Sequence, residues 1–326
     1  MQKLYPLKFR PAFKEKVWGG DRLKSLLGKD FAPLSNCGES WELAAFGNEV
    51  SVVSNGFLEG NPLSELLEIY MGDLAGDAVF DQYGHEFPLL VKFIDTSDYL
   101  SVQVHPGDEV ARSIHNSNGK TEMWYVIDAL PGSEIISGFN KPVDKEKLLK
   151  HVETGTLREI LNAKPVKPGD VLFLPAGKVH AIGAGITLCE IQQASDVTYR
   201  LYDWDRPGLD GKPRELHLEQ ALEVIDLKPN NEFTVNYSPV PNGRVNLVRD
   251  KHFTTNLIAF DRQFNADYDH LDSFVLLVCI EGEFQIIHQQ GKELVVKGEV
   301  VLLPAEMHQF AFVPKTPCRI LETYLE

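Results

Sequence analysis

Gly169-Asp170-Val171-Leu172-Phe173-Leu174-Pro175-Ala176, followed by His180, returns later in the chain as Gly298-Glu299-Val300-Val301-Leu302-Leu303-Pro304-Ala305, followed by His308. Each copy reads as a glycine turn, an acidic residue, a short apolar strand and a proline that ends it, because proline cannot donate to a strand ladder. Upstream of each copy lies another strand and a glycine turn: Trp124–Asp128 before Gly132, and Phe274–Ile280 before Gly282. The same elements in the same order at two places imply two similar β units.

Working outward, short stretches rich in Val, Ile, Leu and aromatics recur between Gly, Pro and Asp boundaries: Glu49–Ser54, Leu89–Ile94, Leu100–Val104, Met123–Asp128, Thr187–Gln192, Ser273–Ile280 and Phe284–His288. Helices read as insertions. Asn61-Pro62 offers a cap and a first-turn proline to a helix carrying Leu63, Leu66, Leu67 and Tyr70 at helical spacing. Asp108 reads as the cap of a helix through Ile114, Asp144 as the cap of another near Leu148-Leu149, with further helical stretches over Thr156–Leu161 and Glu215–Val224. Leu227–Gly243 is polar and proline-containing, and a domain boundary is expected there. Glycine turn, acidic residue, apolar strand, proline and histidine together resemble the second half of a cupin barrel. That resemblance implies a mainly β fold of two cupin-like β-barrel (jelly-roll) units with short helical insertions. Residues 1–240 would form the catalytic unit. Residues 241–326 would form a second unit without metal, since His308 has no Gln-x-His or His-x-His partner upstream.

Composition bounds the function. The 326 residues are 43 % hydrophobic and 24 % charged, ordinary values for a packed globular chain. The net charge of −15 at pH 7 makes nucleic acid a poor partner. A few local cations can still hold a small anion, because repulsion is screened beyond about 8 Å. No apolar run approaches the roughly 20 residues of a membrane span, and Met1–Pro6 lacks the apolar core of a signal peptide. A cytoplasmic location is the default expectation, with no membrane partner. Cys37, Cys189, Cys279 and Cys318 lie far apart, which suits reduced thiols rather than a disulfide framework. The oligomeric state is left open, a monomer being plausible. No glycine-rich phosphate loop supports the use of ATP or NAD.

The chemistry concentrates in three segments. In Ser101-Val102-Gln103-Val104-His105-Pro106, strand alternation puts Gln103 and His105 on one face. A metal would satisfy both side chains, and so would a hydrogen-bonded polar pair. Glu122 opens the apolar strand that follows Gly119-Lys120-Thr121 and could equally be a surface carboxylate. His180 follows the tight turn Pro175-Ala176-Gly177. Two histidines, a glutamate and a glutamine oxygen make a mixed nitrogen and oxygen set suited to zinc or a similar divalent ion.

Trp18-Gly19-Gly20, Gly38-Glu39-Ser40-Trp41-Glu42, Leu90-Val91-Lys92, Gln103-Val104-His105-Pro106, Lys120-Thr121-Glu122-Met123-Trp124, Pro175-Ala176-Gly177 with His180-Ala181, and Gln193-Ala194-Ser195-Asp196-Val197-Thr198-Tyr199-Arg200 together resemble type I mannose-6-phosphate isomerase (phosphomannose isomerase) in its short bacterial form. The resemblance covers most of the chain. It implies a zinc-dependent cupin that interconverts mannose 6-phosphate and fructose 6-phosphate by proton transfer through an enediol, with one Zn2+ per chain or another divalent ion in its place. It assigns Gln103, His105, Glu122 and His180 to the metal and Arg200 to catalysis, and sets Lys92, Lys120 and Glu190 near the substrate. The chain lacks room for the large helical domain of the eukaryotic enzymes.

Residue chemistry adds detail. Arg200 can steady a growing oxyanion with its planar fork. Read alone, it is a surface ion pair with Asp196 or Asp203. Lys92 stands inside an apolar strand, where a bland lysine is less expected. Lys92 and Lys120 could bind phosphate or move protons. Glu190 stands in another apolar strand, where burial would raise its pKa and suit it to act as a base. Trp18, Trp41 and Trp124 are candidate walls of a sugar pocket, core packing being the commoner fate of tryptophan. The remaining alternatives are a different metal-dependent cupin enzyme and a non-catalytic sugar-binding cupin.

Overall fold

A computed structural model of the chain describes residues 3–229 and 233–326. Met1-Gln2 from the N-terminal stretch, and 230–232 from the stretch read as a linker, lie outside the described residues. The fold is mainly β, with few and short helices. Among the described residues no helix is long and apolar enough to cross a membrane.

Four larger antiparallel sheets stack with apolar layers between them. The first has five strands in the order Leu161–Pro165, Glu134–Phe139, His180–Ile182, Val102–Val104, Tyr199–Tyr202. The second has six, in the order Val171–Leu174, Glu122–Ala129, Ile186–Gln193, Leu89–Asp95, Glu39–Leu43, Ala12–Lys14. Ile135 and Ile182 of the first meet Ile94, Trp124, Leu172 and Leu188 of the second. The third sheet, built on Val275–Glu281, Val300–Leu303 and Cys318–Tyr324, lies behind the second. The fourth, built on Glu283–His288 and Gln309–Pro314, lies behind the third.

Strand alternation explains this layering. In Leu89–Asp95, Leu89, Val91 and Phe93 enter the core shared with the C-terminal unit, while Leu90, Lys92 and Ile94 face the opposite way. In Val275–Glu281, Leu276 and Val278 face that same shared core, and Leu277 and Cys279 face the fourth sheet. Strands buried on both faces read as continuous apolar runs. The repeated motif behaves alike in both units. Gly169 and Gly298 take φ of +89° and +90°, a conformation only glycine adopts at low cost. The following strands Val171–Leu174 and Val300–Leu303 each pair antiparallel with the strand upstream. The histidines then part company, His180 being buried and His308 exposed.

The two units share structure. The strand Leu7–Lys8 near the start of the chain pairs with Val301-Leu302 of the third sheet. The last carbonyls of the helix Leu63–Ala75 are met by the C-terminal unit: Phe274 N–H donates to Ala75 O (3.0 Å), Ala305 N–H to Leu74 O (3.1 Å) and Glu306 N–H to Asp73 O (2.9 Å). Such carbonyls have no partner inside their own helix. Asp272 caps the next helix, Asp77–Tyr83, by accepting from the N–H groups of Asp77 (2.7 Å) and Ala78 (3.0 Å).

Some helix boundaries differ from the expectations. Asp144 caps Lys145–Glu153, accepting from Lys147 N–H. Asn61 does not cap its helix: its amide turns back to Leu58 O (2.9 Å), and extended Pro62 occupies the cap position. Gly107 is the cap of Asp108–His115, and Asp108 lies inside its first turn. Thr156–Leu161 reduces to the 3-10 turn Leu157–Ile160. The last helix is only Leu218–Val224, because Glu215–His217 run beside Arg200. His217 N–H donates to Arg200 O (2.8 Å), and Arg200 Nη1 donates to Glu215 O (2.8 Å).

Glu322, with no exposed surface, carries a buried charge in the C-terminal unit. It accepts from Arg244 (2.6 Å), the Tyr268 hydroxyl (2.6 Å) and the Asn256 amide (2.9 Å). Arg244→Met would strand the carboxylate, and is expected to cost about 3 kcal/mol, the low end for a broken buried pair because a third of Arg244 reaches solvent. Urea unfolding of the variant checks this, and a loss under about 1 kcal/mol would show that Arg244 does not balance the charge.

Candidate metal centre and active-site cavity

The polar side chains of the site come from the inward faces of the first two sheets. In Glu122–Ala129, Met123 and Tyr125 enter the shared core, so Glu122 and Trp124 point inward. In Ile186–Gln193, Cys189 and Ile191 face outward, leaving Glu190 inward with Leu188. Register sets Glu190 beside Lys92 on one side and Trp124 on the other. In the facing sheet, Val102, Val104, Ala181, Tyr199 and Leu201 pack outward against the helices. Gln103, His180 and Arg200 therefore face inward, with Gln103 paired in register to both His180 and Arg200. His105 continues the alternation past Val104.

Three side chains converge there. His105, Glu122 and His180 each offer a ligand atom within 4.8 Å of the others, and all three are buried. His105 Nδ1 hydrogen-bonds to Val197 O (2.9 Å) and His180 Nδ1 to Lys178 O (2.8 Å). A carbonyl only accepts, so both Nδ1 atoms carry the proton and both Nε2 atoms present lone pairs. Those Nε2 atoms face each other at 3.1 Å. Glu122 adds a carboxylate with neither oxygen hydrogen-bonded, 3.3 Å from His180 Nε2 and 3.7 Å from His105 Nε2. Lone pairs and a carboxylate turned toward one point need a cation, so the donor set fits a divalent ion. The Gln103 amide completes the group, 3.4 Å from His180 Nε2, with its oxygen and nitrogen interchangeable by a flip. Lys120 Nζ stands alongside, 3.2 Å from both Glu122 Oε2 and His105 Nε2.

Above this cluster opens a cavity of about 250 Å³, whose walls include Trp18, Lys92, Gln103, Lys120, Glu190 and Arg200. All of these were singled out in the sequence. Trp41 and Trp124 do not line it. Trp41 lies beneath Lys92, whose Nζ stands 4.9 Å from its ring, and Trp124 donates its indole N–H to Glu190 (2.8 Å). The sequence reading did not assign a site role to Lys16, Glu39, Ser101, Asp196, Thr198 or Arg214, which also line the cavity. Glu39 and the segment Asp196–Thr198 stand within the quoted motifs. Lys16 and Arg214 carry no local signal. Arg200 does not pair with Asp203, which Arg206 and Arg214 occupy.

Charge sets the protonation states. Glu190 corrects the expectation of a raised pKa. Burial does oppose its charge, but Lys92 at 3.2 Å and Lys120 hold it below the ordinary value. Burial likewise opposes the charge of Glu39, yet Lys92, Lys16 and the Trp41 indole bring its pKa down to about 2. Glu122 goes the other way: burial raises it, and Lys120 only partly compensates.

Burial, with Lys120 adding repulsion, lowers His105 well below its ordinary 6.5 and takes His180 down to about 3. Unfolded histidines bind protons below pH 6.5, whereas these two stay neutral. Chelator-treated protein should therefore lose stability as pH falls from about 6.5 toward about 3. Denaturant midpoints measured at about pH 7.5 and about pH 5.5 check the trend. The fall should be shallower in His180→Gln, and equal slopes would show that His180 is not held neutral.

Comparison with known proteins gives the chain relatives along most of its length. The family model described as phosphomannose isomerase type I, catalytic domain, matches residues 6–126, and that of the mannose-6-phosphate isomerase cupin domain matches residues 245–319. The chain is 40 % identical over 322 residues to the mannose-6-phosphate isomerase ManA of Bacillus subtilis, covering 96 % of this chain and 97 % of that one. It is 36 % identical over 308 residues to the mannose-6-phosphate isomerase of Streptococcus mutans, covering 94 % and 95 %. A crystal structure of mannose 6-phosphate isomerase from Bacillus subtilis superposes with a TM-score of 0.88 at 31 % identity, over 98 % of this chain and 99 % of that one. With likeness of this extent running through both β units, the chain belongs to the type I phosphomannose isomerase family.

Proposed function

We propose that this protein interconverts mannose 6-phosphate and fructose 6-phosphate through an enediol, using one divalent ion, zinc in our reading, held by Gln103, His105, Glu122 and His180. The observation that carries the proposal is the buried His105–Glu122–His180 cluster at the floor of a cavity walled by both cations and carboxylates. We further take residues 1–240 as the catalytic unit and 241–326 as a unit without metal. The four cysteines are free and buried, which fits work in the cytoplasm. When bound, a divalent ion supplies positive charge that polarises a carbonyl or hydroxyl oxygen.

The remaining steps belong to the chain. Isomerisation needs a base to lift the C2 proton of the aldose while the C1 oxygen gains one, and then a proton delivered to C1 while the C2 hydroxyl gives up its own. Glu190, kept ionised by Lys92 and Lys120, can accept a proton. Lys120, close to both Glu122 and His105, can move protons at the substrate oxygens. Arg200 lines the cavity with its Nε lacking a hydrogen-bond partner and can meet the oxyanion as it grows. Lys92, resting on the Trp41 ring, would bind substrate beside Trp18. Lys16 and Arg214 add the positive charge that a phosphate requires.

His105→Ala and His180→Ala are each expected to lose the ion and the isomerase activity, since too few ligands remain. Metal analysis alongside a mannose 6-phosphate assay decides this. The wild-type protein should hold about one ion per chain, and full activity with full metal in either variant would remove the site from the mechanism. Arg200→Ala should retain metal and lose about 10²–10³ in kcat, with Arg200→Lys recovering only part because it lacks the fork. A rise in KM alone would reduce Arg200 to a phosphate contact.

A further inference from the structure

Lys120 stands outside every strand. The chain leaves the first sheet at Pro106, runs through the helix Asp108–His115, and returns at Gly119 before entering the strand Glu122–Ala129. Sheet pairing reaches this return only at Thr121, yet the ammonium it carries must rest among His105, Glu122 and the cavity. A lysine side chain is a flexible four-carbon stem, so its range is set by where its main chain is held.

Two buried or half-buried polar groups hold it. Gly119 N–H donates to Asp108 Oδ1 (3.0 Å), and Thr121 N–H donates to Gln193 Oε1 (2.9 Å). Gln193 N–H in turn donates to Thr121 O (3.1 Å), and Lys120 N–H donates to Pro106 O (3.0 Å). The two holders are themselves joined, because Gln193 Nε2 donates to the same Asp108 Oδ1 (2.9 Å). The N–H groups on either side of Lys120 are thus fixed by one connected pair of side chains, and its own N–H by the Pro106 carbonyl. The free side of Asp108 faces the C-terminal unit: its Oδ2 lies 3.6 Å from His252 Nε2 and 3.7 Å from Lys251 Nζ. Both residues come from the turn between the strands Gly243–Arg249 and Thr254–Phe260. An aspartate serving only its helix would need no partner on Gln193 or Gly119.

We infer that Asp108 and Gln193 are positioning residues for the reaction, clamping the main chain on both sides of Lys120. The inference rests on the role given to Lys120 under the proposed function.

The test is steady-state isomerisation of mannose 6-phosphate by metal-loaded protein, with metal content and Tm measured on the same samples. Asp108→Ala should lower kcat by about 10-fold to 10²-fold, the scale of a misplaced reacting group, with KM little changed and metal retained. Asp108→Asn keeps the Oδ1 acceptor and should recover most of the rate. Gln193→Met frees the Thr121 N–H and takes one donor from Asp108 but leaves Gly119 held, and should give an intermediate loss, which also serves if Asp108→Ala folds poorly. In a Lys120→Met background, Asp108→Ala should cost nothing further, because it acts through the missing lysine. The inference is overturned if Asp108→Ala lowers Tm but leaves kcat, or if it slows Lys120→Met by the same factor as the wild type. A Lys120→Met protein at the wild-type rate would overturn it at its root, through the lysine's role. That outcome is distinct from a slow Lys120→Met with an unimpaired Asp108→Ala, which overturns the clamp alone.

Discussion

Two imidazoles with their Nδ1 protons committed to backbone carbonyls, their Nε2 lone pairs 3.1 Å apart, and a buried carboxylate between them without a hydrogen bond form the constraint on which the site depends. No rotation of these groups within the same backbone relieves it, since Val197 O and Lys178 O fix the ring orientations. The arrangement is unfavourable for a protein alone, because Lys120 at 3.2 Å only partly offsets the cost of burying the Glu122 carboxylate. A cation at that point turns the cost into affinity, and the rigid sheets on either side keep the ligand atoms from relaxing apart. The fold thus stores a demand for positive charge at the floor of the cavity.

The charges above that floor are arranged in alternation rather than pooled. Lys92 lies between Glu190 and Glu39, and Lys120 leans on Glu122. Burial opposes the charge of Lys92, and those carboxylates restore it. Each buried ion has a neighbour of opposite sign, which makes burial tolerable without fully satisfying any one group. A small anion entering this cavity would meet preorganised cations beside a carboxylate that they keep ionised. The overall negative charge of the chain therefore says little about its ligand, since Lys16, Lys92, Lys120, Arg200 and Arg214, gathered from distant segments, line the cavity against Glu39, Glu190 and Asp196.

The C-terminal strands are built into the rest of the chain at several levels. This part of the chain lends amides to the end of one helix, caps the next through Asp272, and takes the chain's first strand into its own sheet. The apolar layer between second and third sheets is common to both units. A repeated sequence motif has kept its turn and strand in this second unit while its histidine, His308, turned to solvent. Packing, rather than chemistry, is what the repeat conserves.

The sequence by itself determined the elements and the ligand types. The strand alternation placed Gln103 and His105 on one face, the turn glycines marked both repeats, and the quoted motifs carried the family. These are local signals, because strand period and turn chemistry act over a few residues. Only the tertiary structure decided what those residues do to one another. Glu190 was expected to have a raised pKa from burial alone, and the cross-strand register with Lys92 reversed it. Asp108 carried the signature of a helix cap, and the returning chain claimed its carboxylate for Gly119 and Gln193 instead. Lys16 and Arg214 reached the cavity with no motif to announce them. Electrostatic and hydrogen-bond partners are set by distance in space, and closing the sheets over one another brings together segments that the chain keeps far apart.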